Sequence, residues 1–268
     1  MYGIQIAFRD YTVRDGITGS TWVGLYHFKT FVESTRFWQL IGNTLKLSVL
    51  SLATFPIPII FALMLNYCNM KWFRKTMQMV TYAPHFISVV VLVGMIDLFF
   101  SPSVGIVNVI IQNFGGSSIY FTQIPAYFKY LFVGSDVWQN LGWSAIIYIG
   151  TLTTVSPEIH EAAIIDGANK VQRIWNIDLP AIAPTIITMF VMRLGQLMNL
   201  SFQKVLLMQN SANITESEII STYVYNVGLM MGNFSYATAI DLFNTLINIV
   251  LLITANQCAK KLTGTSLF

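Results

Sequence analysis

Charge is what this sequence has least of. Asp, Glu, Lys and Arg make up 10% of its 268 residues, against about 25% in ordinary globular domains. A soluble domain of that length needs more charge to face water, so that class is excluded. The formal net charge is only +3 and the basic residues are scattered, which argues against nucleic acid as a partner. Cysteine is scarce as well. Cys68 and Cys258 are too few for a disulfide framework and read as free thiols. His27, His85 and His160 lie far apart, without the spacing of zinc ligands. No run alternates apolar and polar residues in the way a transmembrane barrel requires. The phosphate-binding pattern G-x-x-x-x-G-K-[ST] is missing, and so are H-E-x-x-H, G-x-S-x-G and usefully spaced carboxylate pairs. The chain is therefore not read as an enzyme, and no metal site is expected.

Apolar residues are what it has in excess, at 54%. A helix needs about 20 mostly apolar residues to cross the hydrocarbon core. Five segments meet that demand: 43–65, 79–100, about 137–155, about 182–208 and 237–259. The expected fold is an all-α integral membrane protein, with kinks at Pro56, Pro58 and Pro84, which membrane helices tolerate. Lys71, Arg74 and Lys75, then Lys170 and Arg173, then Lys260 and Lys261 fall on one side if the spans alternate. By the positive-inside rule that side is the cytoplasm. The opposite loops hold Lys129 in 101–135 and no basic residue in 209–236. Arg9, Arg14, Lys29 and Arg36 in the first 42 residues argue weakly the other way. The C-terminus is then inside and residues 1–42 are extracytoplasmic. Nothing before Asn43 reads as an export signal, so a further, sixth span is expected to precede this chain.

Between the third and fourth spans lies "EAAIIDGANKVQRIWNIDLPAIAP", from Glu161 to Pro184. Upstream, Ser156-Pro157-Glu158 is a good helix start: a capping hydroxyl, a proline suited to the first turn, and an acid at the positive end of the dipole. Gly167 permits a bend. Ile164, Ala168, Val171 and Trp175 form an apolar stripe if helix resumes beyond it. Leu179-Pro180 and Pro184 are expected to end this element and start the next span. The shape expected over 156–180 is helix–bend–helix on the membrane surface.

These residues resemble the EAA loop of ABC importer permeases. The match runs through Glu161, Ala162, Ala163, Asp166, Gly167, Ala168, Ile177, Leu179 and Pro180, with Pro184 following. Ile174 stands where an aromatic residue is common, with Trp175 beside it. "YGIQIAFRDY", "NTLKLS", "YAPHFIS", "STYVYNVGL", "YATAIDLFN" and "KKLTGTSLF" extend the resemblance to the carbohydrate-uptake branch, and within it to LplB-like permeases of complex-saccharide importers. The resemblance implies an importer-type bundle over 43–268 and a cytoplasmic coupling helix that docks on a separate ATPase. It implies two such ATPase subunits, a second homologous permease subunit and an extracellular solute-binding lipoprotein. ATP and magnesium then belong to the ATPase, with no cofactor in this chain. The substrate implied is an oligosaccharide or polysaccharide. A peptide or a phosphorylated metabolite is the alternative.

Arg193 lies about 11 residues into the fourth span, near mid-depth at roughly 1.5 Å per residue, where a charge is a functional-site hypothesis. On a continuous helix it shares a face with Gln196, Gln203 and Lys204, with Asn199 at the edge. Asp241, Asn244 and Asn248 share a face of the fifth span. Both faces suit a hydroxyl-rich substrate, or hydrogen bonding between helices. Trp143, with Trp138 and Tyr148, can stack on sugar rings, although an interfacial belt explains Trp138 equally well. Lys46, Asp97, Lys204 and Asp241 fall near the outer ends of spans, where snorkelling or ion pairing accounts for them.

Overall fold

The computed structural model describes residues 2–263. It is mostly helical, and the sole strand pairing among the described residues is Arg9–Asp10 with Thr21–Trp22, antiparallel. The end of the C-terminal stretch, 264–268, lies outside the described residues. The chain divides into two compact units. One is Met1–Leu50, Val89–Phe132 and Gln196–Leu251; the other is Ser51–Ser88, Val133–Gly195 and Leu252–Phe268.

In the first unit, Phe31, Phe37, Leu40, Met198, Ile220 and Ile240 form the core. The Phe31 and Phe37 rings meet edge to face with centroids 5.1 Å apart. Residues ahead of the first long helix, and that helix's own first turns, belong to this unit through specific contacts. The Tyr11 N–H donates to Ser235 Oγ at 2.8 Å. Arg36 pairs with the mostly buried Glu218 at 2.8 Å, and Asn43 Nδ2 donates to the carbonyls of Thr215 and Glu218. The helix begins at Phe37, six residues before the expected start.

The second unit is centred on Ile59, Ala62 and Leu63, with Ala145, Tyr148, Leu152 and Ile182. Gly142 makes close packing possible here. A Cβ on it would stand 2.5 Å from the Thr81 carbonyl.

Among the described residues, three helices are long and apolar enough to cross a membrane: Phe37–Asn66, Lys170–Gly195 and Phe234–Cys258. The pair Lys71–Phe86 and Val89–Phe99, bent by 105°, makes a fourth if it counts as one broken span. The helix Pro125–Leu152 occupies most of the expected third span and has 28 residues, but it is not among those meeting the combined test of length and composition. The first of these spans breaks at Thr54 and Phe55. Pro56 has no N–H, so Leu52 cannot receive its usual fourth-residue donor, and the Phe55 N–H turns to Leu52 instead.

The expected fourth span, 182–208, is not one helix. Its helix stops at Gly195, and helix resumes only at Phe202–Met208. The intervening backbone is held from elsewhere in the first unit. Ser48 donates to the Leu197 carbonyl, and Asn248 Oδ1 accepts the Met198 N–H at 3.0 Å. The common face expected for Arg193, Gln196, Gln203 and Lys204 therefore does not exist.

Candidate functional site

The loop from Ser156 to Pro180 is built by local chemistry. Ser156 is extended and its hydroxyl accepts the Glu158 N–H, starting the helix Pro157–Ile165. At its far end Gly167 has φ +82°, a conformation that disfavours any residue with a Cβ. There the Gly167 N–H donates to Ile164 and the Ala168 N–H to Ala163, the paired bonds of a Schellman end. Asn169 and Gln172 then exchange side-chain and backbone bonds at 2.8 and 2.9 Å. This capping box restarts the helix at Lys170.

The bend at Gly167 is as the sequence leads one to expect, but the second arm does not end at Leu179-Pro180. It runs through a wide π-turn, Ile174–Asp178, and continues to Gly195. Pro180 lacks the N–H that an α-helix needs for the Asn176 carbonyl. The π-turn just before it absorbs the mismatch, with the Leu179 N–H reaching back to Ile174. The arm past the bend and the following long helix are thus one continuous helical rod, with Pro184 inside it.

Glu161, Ala162, Asp166 and Gly167 are all exposed, and Ala163 and Ala168 are partly so. Around them stand bare apolar side chains: Ile159, Ile164, Ile165 at 86% exposure, Val171 and Trp175. No residue of the helix Pro157–Ile165 is buried. Leu179 is half-buried and Pro180 exposed. The surface combines two carboxylates, two alanines that permit close approach, and a greasy rim.

Beneath this surface lies a cluster that the sequence reading did not single out. Asp178 is fully buried, at 0% exposure. Its Oδ2 accepts the Tyr67 hydroxyl at 2.6 Å, and its Oδ1 is 3.3 Å from His160 Nε2. The Arg173 guanidinium sits over the Tyr67 ring, 5.3 Å from its centre. Burial first, then the hydrogen bond to Asp178 and its charge, raise the Tyr67 hydroxyl well above the usual phenol range. The one signal in the sequence was an acid immediately before Leu-Pro at the head of an apolar run.

The residues expected along a substrate path fall into two groups. Gln196, Asn199, Gln203, Asp241 and Trp143 are exposed. Trp143 stacks on His85, with centroids 4.4 Å apart and planes 3° from parallel, and His85 Nδ1 is 3.0 Å from Asn140 Oδ1. Asp241 lines a cavity of about 380 Å³ in the first unit, together with Phe202, Ser221 and Tyr225. Asn244 and Asn248 are buried, and Asn248 Nδ2 donates to Asn199 Oδ1 at 3.2 Å. Arg193 donates to the hydroxyl and carbonyl of Ser51. Lys204 is 1% exposed, with Nζ donating to the Phe132 carbonyl at 2.9 Å. Lys46 pairs with Glu216 at 3.5 Å.

Comparison with known proteins gives a consistent set of likenesses. Residues 54–263 match the family described as binding-protein-dependent transport system inner membrane component. The chain is 39% identical over 269 residues to Protein LplB of Bacillus subtilis (strain 168), covering all of this chain and 85% of that protein. It is 41% identical over 262 residues to the polygalacturonan/rhamnogalacturonan transport system permease protein YteP of the same organism, covering 97% and 82%. Among solved structures it resembles a chain of a bacterial alginate ABC transporter in complex with alginate pentasaccharide-bound periplasmic protein. The TM-score is 0.92 at 36% identity, over 99% of this chain and 88% of that one.

Proposed function

This chain belongs to the binding-protein-dependent transport system inner membrane component family, and we propose that within it the chain is one permease half of an ATP-driven saccharide importer. One exposed loop serves one ATPase, so a working importer pairs this chain with a second permease and two ATPase subunits. A solute-binding protein on the far side delivers the substrate; the alginate transporter that this chain resembles is in complex with an alginate pentasaccharide-bound periplasmic protein. ATP and magnesium reside on the ATPase.

The observation that carries this reading is the exposed, bent and helix-rooted loop from Ser156 to Pro180. Glu161 and Asp166 face outward beside Ala162 and the bare Ile165 side chain, a surface fit for docking rather than for lipid or water alone. The rod from Lys170 to Gly195 lets a push on the loop travel into a membrane helix without slack.

Five spans remain the reading that fits the charge pattern. The helix Pro125–Leu152 has 28 residues, and at about 1.5 Å each it exceeds a core of about 30 Å. The loop and the C-terminus then face the cytoplasm, and residues 1–42 form an extracytoplasmic segment ahead of the permease domain 43–268. The substrate class is an oligosaccharide or polysaccharide fragment. Uronate-containing chains are the first to test, because the similar proteins are named for polygalacturonan, rhamnogalacturonan and alginate. Gln196, Asn199, Gln203 and Asp241 in the first unit, and Trp143 in the second, are the exposed side chains proposed to meet it; Asn244 and Asn248 are buried in the first unit, and Arg193 holds Ser51 within the second.

The test is capture from membranes. A tagged chain co-expressed with its partner permease and ATPase retains the ATPase in detergent. Lysines at both 161 and 166 abolish that retention without lowering the amount of permease. Retention unaffected by the double change refutes the docking surface.

A further inference from the structure

The helix Pro157–Ile165 has no buried residue, so apolar packing does little to hold it at a fixed angle. It is flanked by bends at Ser156 and Gly167. His160, at its middle, is the side chain that turns inward, and it reaches Asp178. Asp178 is in turn bound by Tyr67, the residue that ends the helix Pro56–Asn66. One buried carboxylate therefore joins three elements: the loop helix, the base of the rod Lys170–Gly195, and the end of the helix Pro56–Asn66.

The chemistry fixes the roles. His160 Nε2 stands at ion-pair distance from Asp178 Oδ1, 3.3 Å, without the alignment of a hydrogen bond, and Oδ1 has no hydrogen-bond partner. The Tyr67 hydroxyl, its ionisation suppressed as described above, stays a donor. Swinging the loop helix away would take the imidazole from beside a carboxylate at 0% exposure in a low-dielectric site, so the closed arrangement is favoured. His160 Nδ1 is buried and has no partner, so the Nε2 contact is the one polar tie that this ring makes in the structure.

We propose that His160, Asp178 and Tyr67 are positioning residues that set the orientation of the loop helix, so that force on it reaches two membrane helices at once. This rests on the loop being the ATPase-docking element. It goes beyond that reading, because none of the three belongs to the exposed docking surface.

The test uses the full permease–ATPase complex in lipid nanodiscs. Cys68 and Cys258 are changed to Ser, and spin labels are placed at Glu158→Cys and Met64→Cys, both exposed in the parent. His160→Phe keeps a ring but removes the nitrogen that faces Asp178, whereas His160→Gln puts an amide where Nε2 stood. His160→Phe is expected to at least double the width of the label-to-label distance distribution and to lower ATP hydrolysis at least threefold. His160→Gln is expected to restore both. A width or a hydrolysis rate unchanged by His160→Phe overturns the proposal, and so does a His160→Gln chain that behaves like His160→Phe. A parent complex that retains no ATPase refutes the docking reading instead, and the distance widths still decide whether the three residues position the helix.

Discussion

Arg193 holds Ser51 by both of its oxygens, with Nη2 3.0 Å from the hydroxyl and 3.3 Å from the carbonyl. The first long helix breaks just beyond that carbonyl, which also accepts the Thr54 hydroxyl at 2.7 Å and the Thr54 N–H at 3.3 Å. The Phe55 N–H, its normal partner, has turned to Leu52. A cation thus caps the C-terminal end of a helix interrupted inside the chain, where carbonyls are left over and the dipole is negative. Hydrogen bonds from a charged group contribute about 1.5–3 kcal/mol each. Arg193→Met should therefore destabilise the protein by about 2 kcal/mol, read as a lower Tm in detergent. Unchanged stability together with a raised half-saturation for saccharide would move Arg193 from the scaffold to the substrate.

Gly167 gives a cleaner case, because nothing lies within 4 Å of a Cβ added there. Only the backbone objects. At φ +82° an L-residue is strained by about 1–2 kcal/mol, and proline cannot adopt that angle at all. Gly167→Ala should keep a reduced coupling of hydrolysis to uptake. Gly167→Pro should reach the membrane at parental levels, by immunoblot, yet fail to couple them. Normal uptake by the proline variant would count against the loop as the coupling element.

The loop was legible because its signals are local. Ser156, Pro157, Gly167 and Asn169 each act on neighbours within three or four positions, and such chemistry can be read along a sequence. The all-helical membrane character was legible from hydropathy for the same reason. The break at 196–201 was not, because Gln196, Asn199 and Gln203 are also compatible with a continued helix. What stops that helix is supplied by Ser48 and Asn248, 149 and 50 positions away from their partners. The Asp178 cluster was hidden in the same manner, since Tyr67 is 111 positions distant. The helix Pro125–Leu152 starts ahead of the expected third span, because Lys129 and Asp136 interrupt the apolar run in its first half.

That non-local break makes an ordered pair of expectations. Asn248 is buried and bonds both the Met198 N–H and the Asn199 side chain. Asn248→Leu leaves a buried N–H unsatisfied, at about 1–3 kcal/mol. Asn199 is exposed, and truncating it removes a bond that water can replace. Thermal unfolding should rank Asn248→Leu well below Asn199→Ala. Equal losses would mean that the side-chain pair, rather than the backbone cap, holds the break.

Three glycines of the helix Pro125–Leu152 separate packing from propensity. A Cβ on Gly142 would stand 2.5 Å from both the Thr81 carbonyl carbon and oxygen, and 2.6 Å from a Tyr82 ring carbon. Backbone cannot give way as a side-chain tip can, so Gly142→Ala must push the end of the helix Lys71–Tyr82 aside. The stack of His85 on Trp143 begins one residue further along and should open with it. Gly134 and Gly150 have nothing within 4 Å. Alanine there should be neutral or stabilising by up to about 1 kcal/mol, since glycine weakens a helix interior. The expected result is a marked loss of stability and of Trp143 protection from quenching in Gly142→Ala, with Gly134→Ala and Gly150→Ala at or above the parent. If all three behaved alike, the close approach at Gly142 would have no energetic weight, and Trp143 would owe its orientation to something other than the helix end beside it.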